Sequence, residues 1–280
     1  MKIGHAGTLD PLASGVLPLA LGEATKTMQF CMDTDKEYEF TVKWGEATST
    51  CDLEGEVIQT SDVRPTKEQI LAALPQFIGK ISQTPPIYSA IKINGVRAYD
   101  LARQGEVVEI KARQVVIYSL EVSGDRDQVS DTPVTCHLSP ETYTSFRVSC
   151  GKGTYVRSLA CDIAAAVGTF GHVTKLVRTK VGNFSIEDAI LLEDVGKTVY
   201  KDADSGFLLP VDSVLDDIQV LEFTPEEATR IRYGQRIALE SLPKEHSVVQ
   251  GVFIARCNGK LVAICNSGEG IIQPLRIFNL

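Results

Sequence analysis

The longest apolar stretch of the chain, Leu12–Leu21 (LASGVLPLAL), constrains the fold through its interruptions. It falls far short of the ~20 residues that a membrane-spanning helix needs. Gly15 and Pro18 break it, Asp10 and Pro11 precede it, and Gly4 and Gly7 lie just upstream. The segment is too irregular for a long helix. Lys2 is the only positive charge ahead of it, which disfavours a secretory signal. Asp10 is biased by Pro11 toward extended backbone, free to cap a turn or to project its carboxylate. An isolated Asp-Pro is ordinarily a turn cap. Here His5 stands five residues earlier, and small neighbours let a ligand or a second backbone come close.

With 280 residues, 44% of them hydrophobic and 23% charged, the chain can bury a substantial core in one large or two smaller domains. Its 7 cysteines form no CxxC pair and have no histidine at ligand spacing. They read as reduced thiols of a cytoplasmic protein rather than a disulfide framework or a structural zinc site. A net charge of −8 argues against a generic nucleic-acid binder. The distribution is polarised, however. Six basic residues face three acidic ones between 80 and 113, and five face one between 151 and 180. Between 181 and 227 two lysines face twelve carboxylates. One face of such a chain can attract polyphosphate while another stays acidic, although solvated faces also segregate by chance.

Glu37–Trp44 (EYEFTVKW) alternates and is rich in β-branched and aromatic residues, which predicts a strand. Val115–Val122, Val134–Leu138 and Thr144–Cys150 read the same way. Thr66–Gly79 reads as a helix with a Thr66–Gln69 capping box, bent or ended by Pro75. Ser82–Lys92, with Pro85-Pro86, is extended, and Tyr99–Gln104 is a short helix. Thr154 reads as the N-cap of a helix with Val156, Leu159, Ile163 and Val167 on one stripe, closed by Gly168. Beyond Pro210, Thr224-Pro225-Glu226-Glu227 starts a helix that Gly234 ends. Alternating runs follow at Val248–Arg256, Lys260–Cys265 and Gln273–Phe278, the first two joined by Asn258-Gly259, a strong hairpin signal. The final ~70 residues thus read as a small β-rich domain with one helix, consistent with a compact barrel. The expected class is α+β.

Cys150–Leu159 (CGKGTYVRSL) runs from a strand through a Gly-Lys-Gly turn into a helix N-terminus, a place where anions collect. It is not a nucleotide P-loop: Lys152 is followed by Gly153, and no glycine stands five positions before Gly151. Tyr155 and Arg157 open the helix. Taken singly they would be a half-buried packing ring and a solvated charge.

Five stretches together resemble the bacterial tRNA pseudouridine synthase B (TruB) family in order and approximate spacing. They are GHAGTLDPLASGVLPLALGEATK at 4–26, KEYEFTVKWG at 36–45, PPIYSAIKINGVRAYDLARQG at 85–105, CGKGTYVRSLACDIA at 150–164 and HVTKLVRTKVGNF at 172–184. The resemblance covers most of residues 2–210, and the remainder is similar to the PUA-like RNA-binding domain of that family. It implies a pseudouridine-synthase fold, with a mixed, largely antiparallel sheet flanked by helices, as a catalytic domain over 1–209. Within it, 85–114 matches a mobile insert that clamps the T-arm. A small PUA-like β-barrel would occupy 210–280. The implied reaction is isomerisation of uridine 55 in the T-loop of tRNA, without metal, redox cofactor or ATP. Asp10 matches the catalytic aspartate, and His5 the histidine that enters the RNA loop where the target base has left. Tyr38 matches the aromatic stacked on the flipped uracil, and Tyr155 the tyrosine beside ribose and base. Arg157 matches the arginine that pairs with the aspartate, and Leu176 an apolar residue packed on the base. The implied partner is the T-arm of tRNA. No membrane and no obligatory protein partner are expected, and the chain would be a cytoplasmic monomer.

The chemistry suits these residue types. The C1′–N1 bond must break, the uracil turn, and C5 join C1′. Extruding the base costs a few kcal/mol, and stacking on aromatic rings returns ~1–3 kcal/mol per base. A carboxylate acting as nucleophile or base must be ionised, and a neighbouring guanidinium favours that form. Attack at C1′, attack at C6 and removal of the 2′ proton all stay open. The basic segments would hold RNA by its backbone, with affinity falling steeply as salt rises. The family also has a few dozen residues ahead of the aspartate motif, including a Lys-Pro-x-Gly-x-[Ser/Thr] segment, whereas this sequence opens with Met1-Lys2-Ile3-Gly4. A chain without that segment would lack a sheet edge and part of the pocket wall. The competing expectation is therefore a catalytically impaired tRNA-binding or tRNA-folding protein. A guide-RNA-dependent relative is disfavoured by the insert at 85–114, and a nucleotide-binding enzyme by the failed P-loop spacing.

Overall fold

A computed structural model describes residues 1–280 except 90, 94, 106–108, 124–141, 199–207, 217 and 242–248. The chain divides into two compact units. The larger comprises Thr8–Leu17 and Asp33–Ala189; the smaller comprises Met1–Gly7, Pro18–Met32 and Ile190–Leu280.

The larger unit is organised by a 7-stranded sheet. Its strands are β1 (Ala13–Gly15), β2 (Lys36–Trp44), β3 (Gly79–Gln83), β4 (Arg113–Val122), β5 (Tyr143–Cys150), β6 (Gly171–Val181) and β7 (Phe184–Ser185). They lie in the order β7-β6-β2-β5-β4-β3, with β1 running parallel beside β6 and every other pair antiparallel. The alternation in β2 places Phe40, Val42 and Trp44 on one buried face. Phe146 of β5 stacks on Phe40 with centroids 5.1 Å apart and meets Trp44 edge-on at 6.2 Å. The other face is polar, with Glu39 paired to Arg147 at 2.7 Å across β2 and β5. Helix α2 (Val156–Ala166) buries Val156, Leu159 and Ile163 in the same core. Each such side chain contributes ~1.5–3 kcal/mol by leaving water. Helix α1 (Lys67–Ala73) carries the expected Thr66–Gln69 capping box and gives way to a tighter turn at Leu74–Phe77, where Pro75 removes a backbone donor.

One sequence expectation changes, and two features go beyond what the sequence showed. The N-cap of α2 is Tyr155, not Thr154: Tyr155 is extended (φ −107°, ψ 111°) and makes no side-chain cap, while the Thr154 hydroxyl donates to Gly151 O at 3.0 Å. Strand β6, the longest among the described residues at 11, shows no clean alternation in sequence because its register shifts between Val173 and Lys175 and again between Arg178 and Lys180. The apolar stretch Leu12–Leu21 is split between the units. Ala13–Gly15 forms β1, while Leu19–Leu21 pairs antiparallel with Ile3–His5 in the smaller unit. The strand expected at Val134–Leu138 lies outside the described residues.

The smaller unit has a 5-stranded sheet of β8 (Val220–Glu222), β9 (Ile237–Ala238), β10 (Gly251–Cys257), β11 (Lys260–Gly268) and β12 (Ile271–Ile277), in the order β8-β10-β11-β12-β9. Asn258 (φ 51°) and Gly259 (φ 73°) make the left-handed turn between β10 and β11. Helix α3 (Pro225–Arg232), with a Thr224–Glu227 capping box, packs Ala228 and Ile231 against Phe253 and Val262. Glu23 accepts from Lys26 and from the Asn279 N–H, each at 2.7 Å, tying the last residues to the turn at Gly22–Thr27. The molecule is α+β. Among the described residues, no helix is long and apolar enough to cross a membrane.

Candidate active site

Arg157 is the hub of the larger unit. It occupies the first turn of α2, where Val156 and Leu159 face the core. The helix start is fixed from outside. Gln83, at the end of β3, receives the Tyr155 N–H at 2.8 Å and donates to Tyr155 O at 3.1 Å. Ser158 donates to Thr84 O at 2.8 Å. Arg157 is 5% exposed, and its guanidinium donates four hydrogen bonds and makes one further ion-pair contact. Nε donates to Asp10 Oδ2 at 2.8 Å, and Nη2 to Asp10 Oδ1 at 3.1 Å and to Tyr88 O at 3.0 Å. Nη1 donates to Thr50 O at 3.0 Å and lies 3.4 Å from Asp52 Oδ2. The two-pronged contact fixes the plane of the Asp10 carboxylate.

Two carboxylates therefore share one guanidinium, and exposure separates them. The Asp10 side chain is 36% exposed, that of Asp52 6%. Asp52 is satisfied from inside, by the Glu54 N–H at 3.0 Å and by the Thr50 hydroxyl. It closes a turn in which Cys51 takes φ 62°. Only Asp10 has oxygens that an incoming molecule can reach.

Asp10 is positioned by close backbone approach. The Ala13 N–H turns back to Asp10 O at 2.9 Å, and β1 then lies along β6 with Ala13 opposite Leu176 and Gly15 opposite Arg178. The Val16 N–H donates to Arg178 O at 2.8 Å, and Arg178 Nε returns a bond to Val16 O at 2.8 Å. Gly15 has φ +103°, and a Cβ there would stand 2.2 Å from Arg178 O. Only glycine fits.

Asp10, Leu12, Ala13, Asp52, Arg157, Val173 and Leu176 line one cleft. Tyr38 lies one strand away, opposite Arg178 in register, on the face that carries Phe40. Its hydroxyl pKa is pushed up chiefly by burial, with the charges of Cys150 and Asp10 adding and Arg178, which hydrogen-bonds it, opposing. Tyr155 carries the Arg113 guanidinium 4.9 Å from its ring centroid, and Arg113 also donates to Gly153 O at 2.6 Å. The structure thus brings Asp10, Arg157 and Leu176 into one cleft, with Tyr38 within electrostatic reach of Asp10 and Tyr155 at the cap of the helix that bears Arg157. His5 is exposed on the Ile3–His5 strand of the smaller unit. Sequence reasoning missed Asp52, Gln83 and Arg178. Among the described residues, no group of three or more His, Cys, Asp or Glu is arranged to hold a metal ion.

Comparison with known proteins identifies the family and the fold. Residues 1–156 match the family model for the TruB family pseudouridylate synthase N-terminal domain, and residues 157–216 that for the tRNA pseudouridylate synthase B C-terminal domain. The chain is 48% identical over 286 residues to the tRNA pseudouridine synthase B of Caulobacter sp. (strain K31), covering 100% of this chain and 87% of that one. It is 48% identical over 285 residues to the protein of the same name from Bradyrhizobium diazoefficiens, covering 100% and 78%. Among solved structures, a Cbf5-Nop10-Gar1 complex matches with TM-score 0.67 at 25% identity, covering 95% of this chain and 70% of that one. An H/ACA RNP bound to a substrate RNA containing 2′-deoxyuridine matches with TM-score 0.69 at 21% identity, covering 100% and 77%, a likeness of fold.

Proposed function

The chain belongs to the TruB family of pseudouridylate synthases, and from that premise we propose that it converts uridine 55 in the T-loop of tRNA to pseudouridine with Asp10 as its catalytic residue. Family and relatives make it a tRNA pseudouridine synthase, an enzyme that isomerises uridine in tRNA. The T-loop position and the roles of single residues belong to the proposal. One observation carries it: the reachable carboxylate of Asp10, held by two prongs of a buried arginine in a cleft that Leu176 also lines.

The uracil must stay trapped while its bond to C1′ is broken and a new one is made through C5. Attack at C1′, attack at C6 and removal of the 2′ proton all require a carboxylate whose oxygens face the sugar and base, and the Arg157 fork sets that orientation. Tyr38 stacks on the flipped uracil, Leu176 packs on it, and Tyr155 lies beside ribose and base. These walls keep water from the detached fragment. His5 fills the loop position that the target base has left. The catalytic domain spans 1–209, with an insert at 85–114 that clamps the T-arm, and a PUA-like RNA-binding domain spans 210–280. The basic residues of 80–113 and 151–180 hold the phosphate backbone, and tRNA alone suffices as partner. Tritium release from tRNA carrying C5-labelled uridine tests the reading. Asp10→Asn should lose turnover at least ~10³-fold while binding tRNA within a few-fold of the parent. Turnover within ten-fold of the parent would show the assignment of Asp10 to be wrong.

A further inference from the structure

The two rings assigned to the target nucleotide are held in different ways. Tyr38 sits in β2 and packs against the hydrophobic core of the larger unit. Tyr155 is half-buried at the N-cap of α2 and lies outside that core cluster. Gln83 fixes its backbone through both the N–H and the carbonyl, but such bonds leave the side-chain torsions free. The ring needs a second hold.

Arg113 supplies it. This residue opens β4 and stands directly opposite Gln83, the last residue of β3, in an antiparallel pair. Residues so opposed project from the same face of a sheet. Two neighbouring side chains at one strand end therefore grip one short stretch of chain. Gln83 takes the backbone of Tyr155, and Arg113 takes its ring, with the guanidinium carbon 4.9 Å from the ring centroid. The Nη2 bond to Gly153 O at 2.6 Å anchors the guanidinium beside the ring. Arg113 Nε is shut off from water and, among the described residues, has no hydrogen-bond partner. A surface arginine free to turn would keep that N–H wet, so ring and carbonyl together hold this one in place. A planar guanidinium suits the double task, because its face can lie on an aromatic ring while its edge donates.

We propose that Arg113 is a positioning residue for the isomerisation of uridine, acting through Tyr155. It fixes the ring in the orientation that closes the site beside ribose and base. The proposal rests on the reading of Tyr155 as the tyrosine at that place. Charge groups Arg113 with the other basic residues of 80–113, and its contacts give it this further task. Without the guanidinium the ring can swing about its first side-chain torsion, and a group misplaced by ~1 Å can cost ~10²-fold in rate. Affinity should change little, since six basic residues share the span 80–113.

The test measures single-turnover tritium release from labelled tRNA at saturating enzyme, together with tRNA affinity by filter binding. The variants are Arg113→Ala, Arg113→Lys, Tyr155→Ala and the double variant Arg113→Ala/Tyr155→Ala. Arg113→Lys keeps the charge but loses the flat face, so both single Arg113 variants should react at least about five-fold more slowly than the parent, with Kd within about three-fold. In the Tyr155→Ala background, Arg113→Ala should cost less than a further three-fold, because the ring through which it acts is gone. A rate loss under five-fold in either Arg113 variant overturns the proposal, including the case in which affinity alone falls and Arg113 is only a phosphate contact. A further loss of three-fold or more in the double variant overturns it as well, since Arg113 would then act by another route. Tyr155→Ala reports the underlying reading separately. An undiminished rate there refutes the place given to Tyr155 and the proposal with it, whereas a slow Tyr155→Ala beside a fast Arg113→Ala refutes the role of Arg113 alone.

Discussion

Replacing Gly15 with alanine tests whether the close approach of β1 to β6 sets the position of Asp10. The new Cβ would stand 2.2 Å from Arg178 O and 2.8 Å from Arg178 N, both backbone atoms of a strand paired on its other side to β2. Reaching 3.0 Å from the carbonyl oxygen requires β1 to retreat by about 0.8 Å, and φ +103° adds ~1–3 kcal/mol of strain for a residue with a side chain. The retreat stretches the paired 2.8 Å bonds between Val16 and Arg178 and carries the Asp10 turn with it. A carboxylate displaced by nearly 1 Å leaves the Arg157 fork, which corresponds to ~10²-fold in rate, or about 2.7 kcal/mol of barrier. Gly15→Ala should therefore lower kcat/KM for tRNA about 100-fold in the tritium-release assay while tRNA affinity changes only a few-fold. The thermal midpoint should fall as well. A variant within three-fold of the parent in kcat/KM, with an unchanged midpoint, would refute the claim that this contact positions Asp10.

Arg157→Lys keeps the charge but loses the fork and leaves backbone carbonyls of Thr50 and Tyr88 without donors; turnover should fall 10²–10³-fold and urea unfolding should show ~2–4 kcal/mol less stability. Gln83→Ala removes both bonds to the Tyr155 backbone, so unfolding free energy should drop by ~1–3 kcal/mol and turnover several-fold, with tRNA affinity retained; unchanged melting would contradict the role assigned to Gln83. Alkaline pH should weaken the fold through its buried thiols. Cys150 and Cys265 are raised from 9.0 to about 11 and about 12, so above pH ~9 the unfolded chain has lost protons that the folded chain still holds. Their contribution is complete below pH 9 and declines as pH climbs, by up to ~1.4 kcal/mol per pH unit for each thiol. Urea titrations between pH 8.5 and 10.5 should show a shallower decline for Cys265→Ala than for the parent.

Much of this architecture is legible in the sequence because it follows local rules. The alternation in Glu37–Trp44 becomes the buried stripe of Phe40, Val42 and Trp44, and the Thr66 and Thr224 capping boxes form where the spacing places them. Asn258-Gly259 makes its hairpin. Strand β6 escapes notice because two register shifts erase its period. Asp52 escapes for a different reason. In TSTCDLEG it looks like any turn aspartate that takes an N–H two residues on, and its second role exists only because α2 brings Arg157 to it from far along the chain. The same holds for Gln83, whose amide matches the backbone of Tyr155, 72 residues away. Local periodicity carries no trace of such pairings.

Arg157 binds oxygens from the Asp10 loop, from the Thr50 turn and from the Tyr88 loop, and its bond to Asp10 spans 147 positions of sequence. A nascent polypeptide halted before α2 has no means of aiming its aspartate, however well its first strands have formed. With Asp10 as the proposed reacting carboxylate, reactivity toward RNA would arrive only with the finished architecture, and turnover would serve as a stringent report that every one of those segments has reached its place.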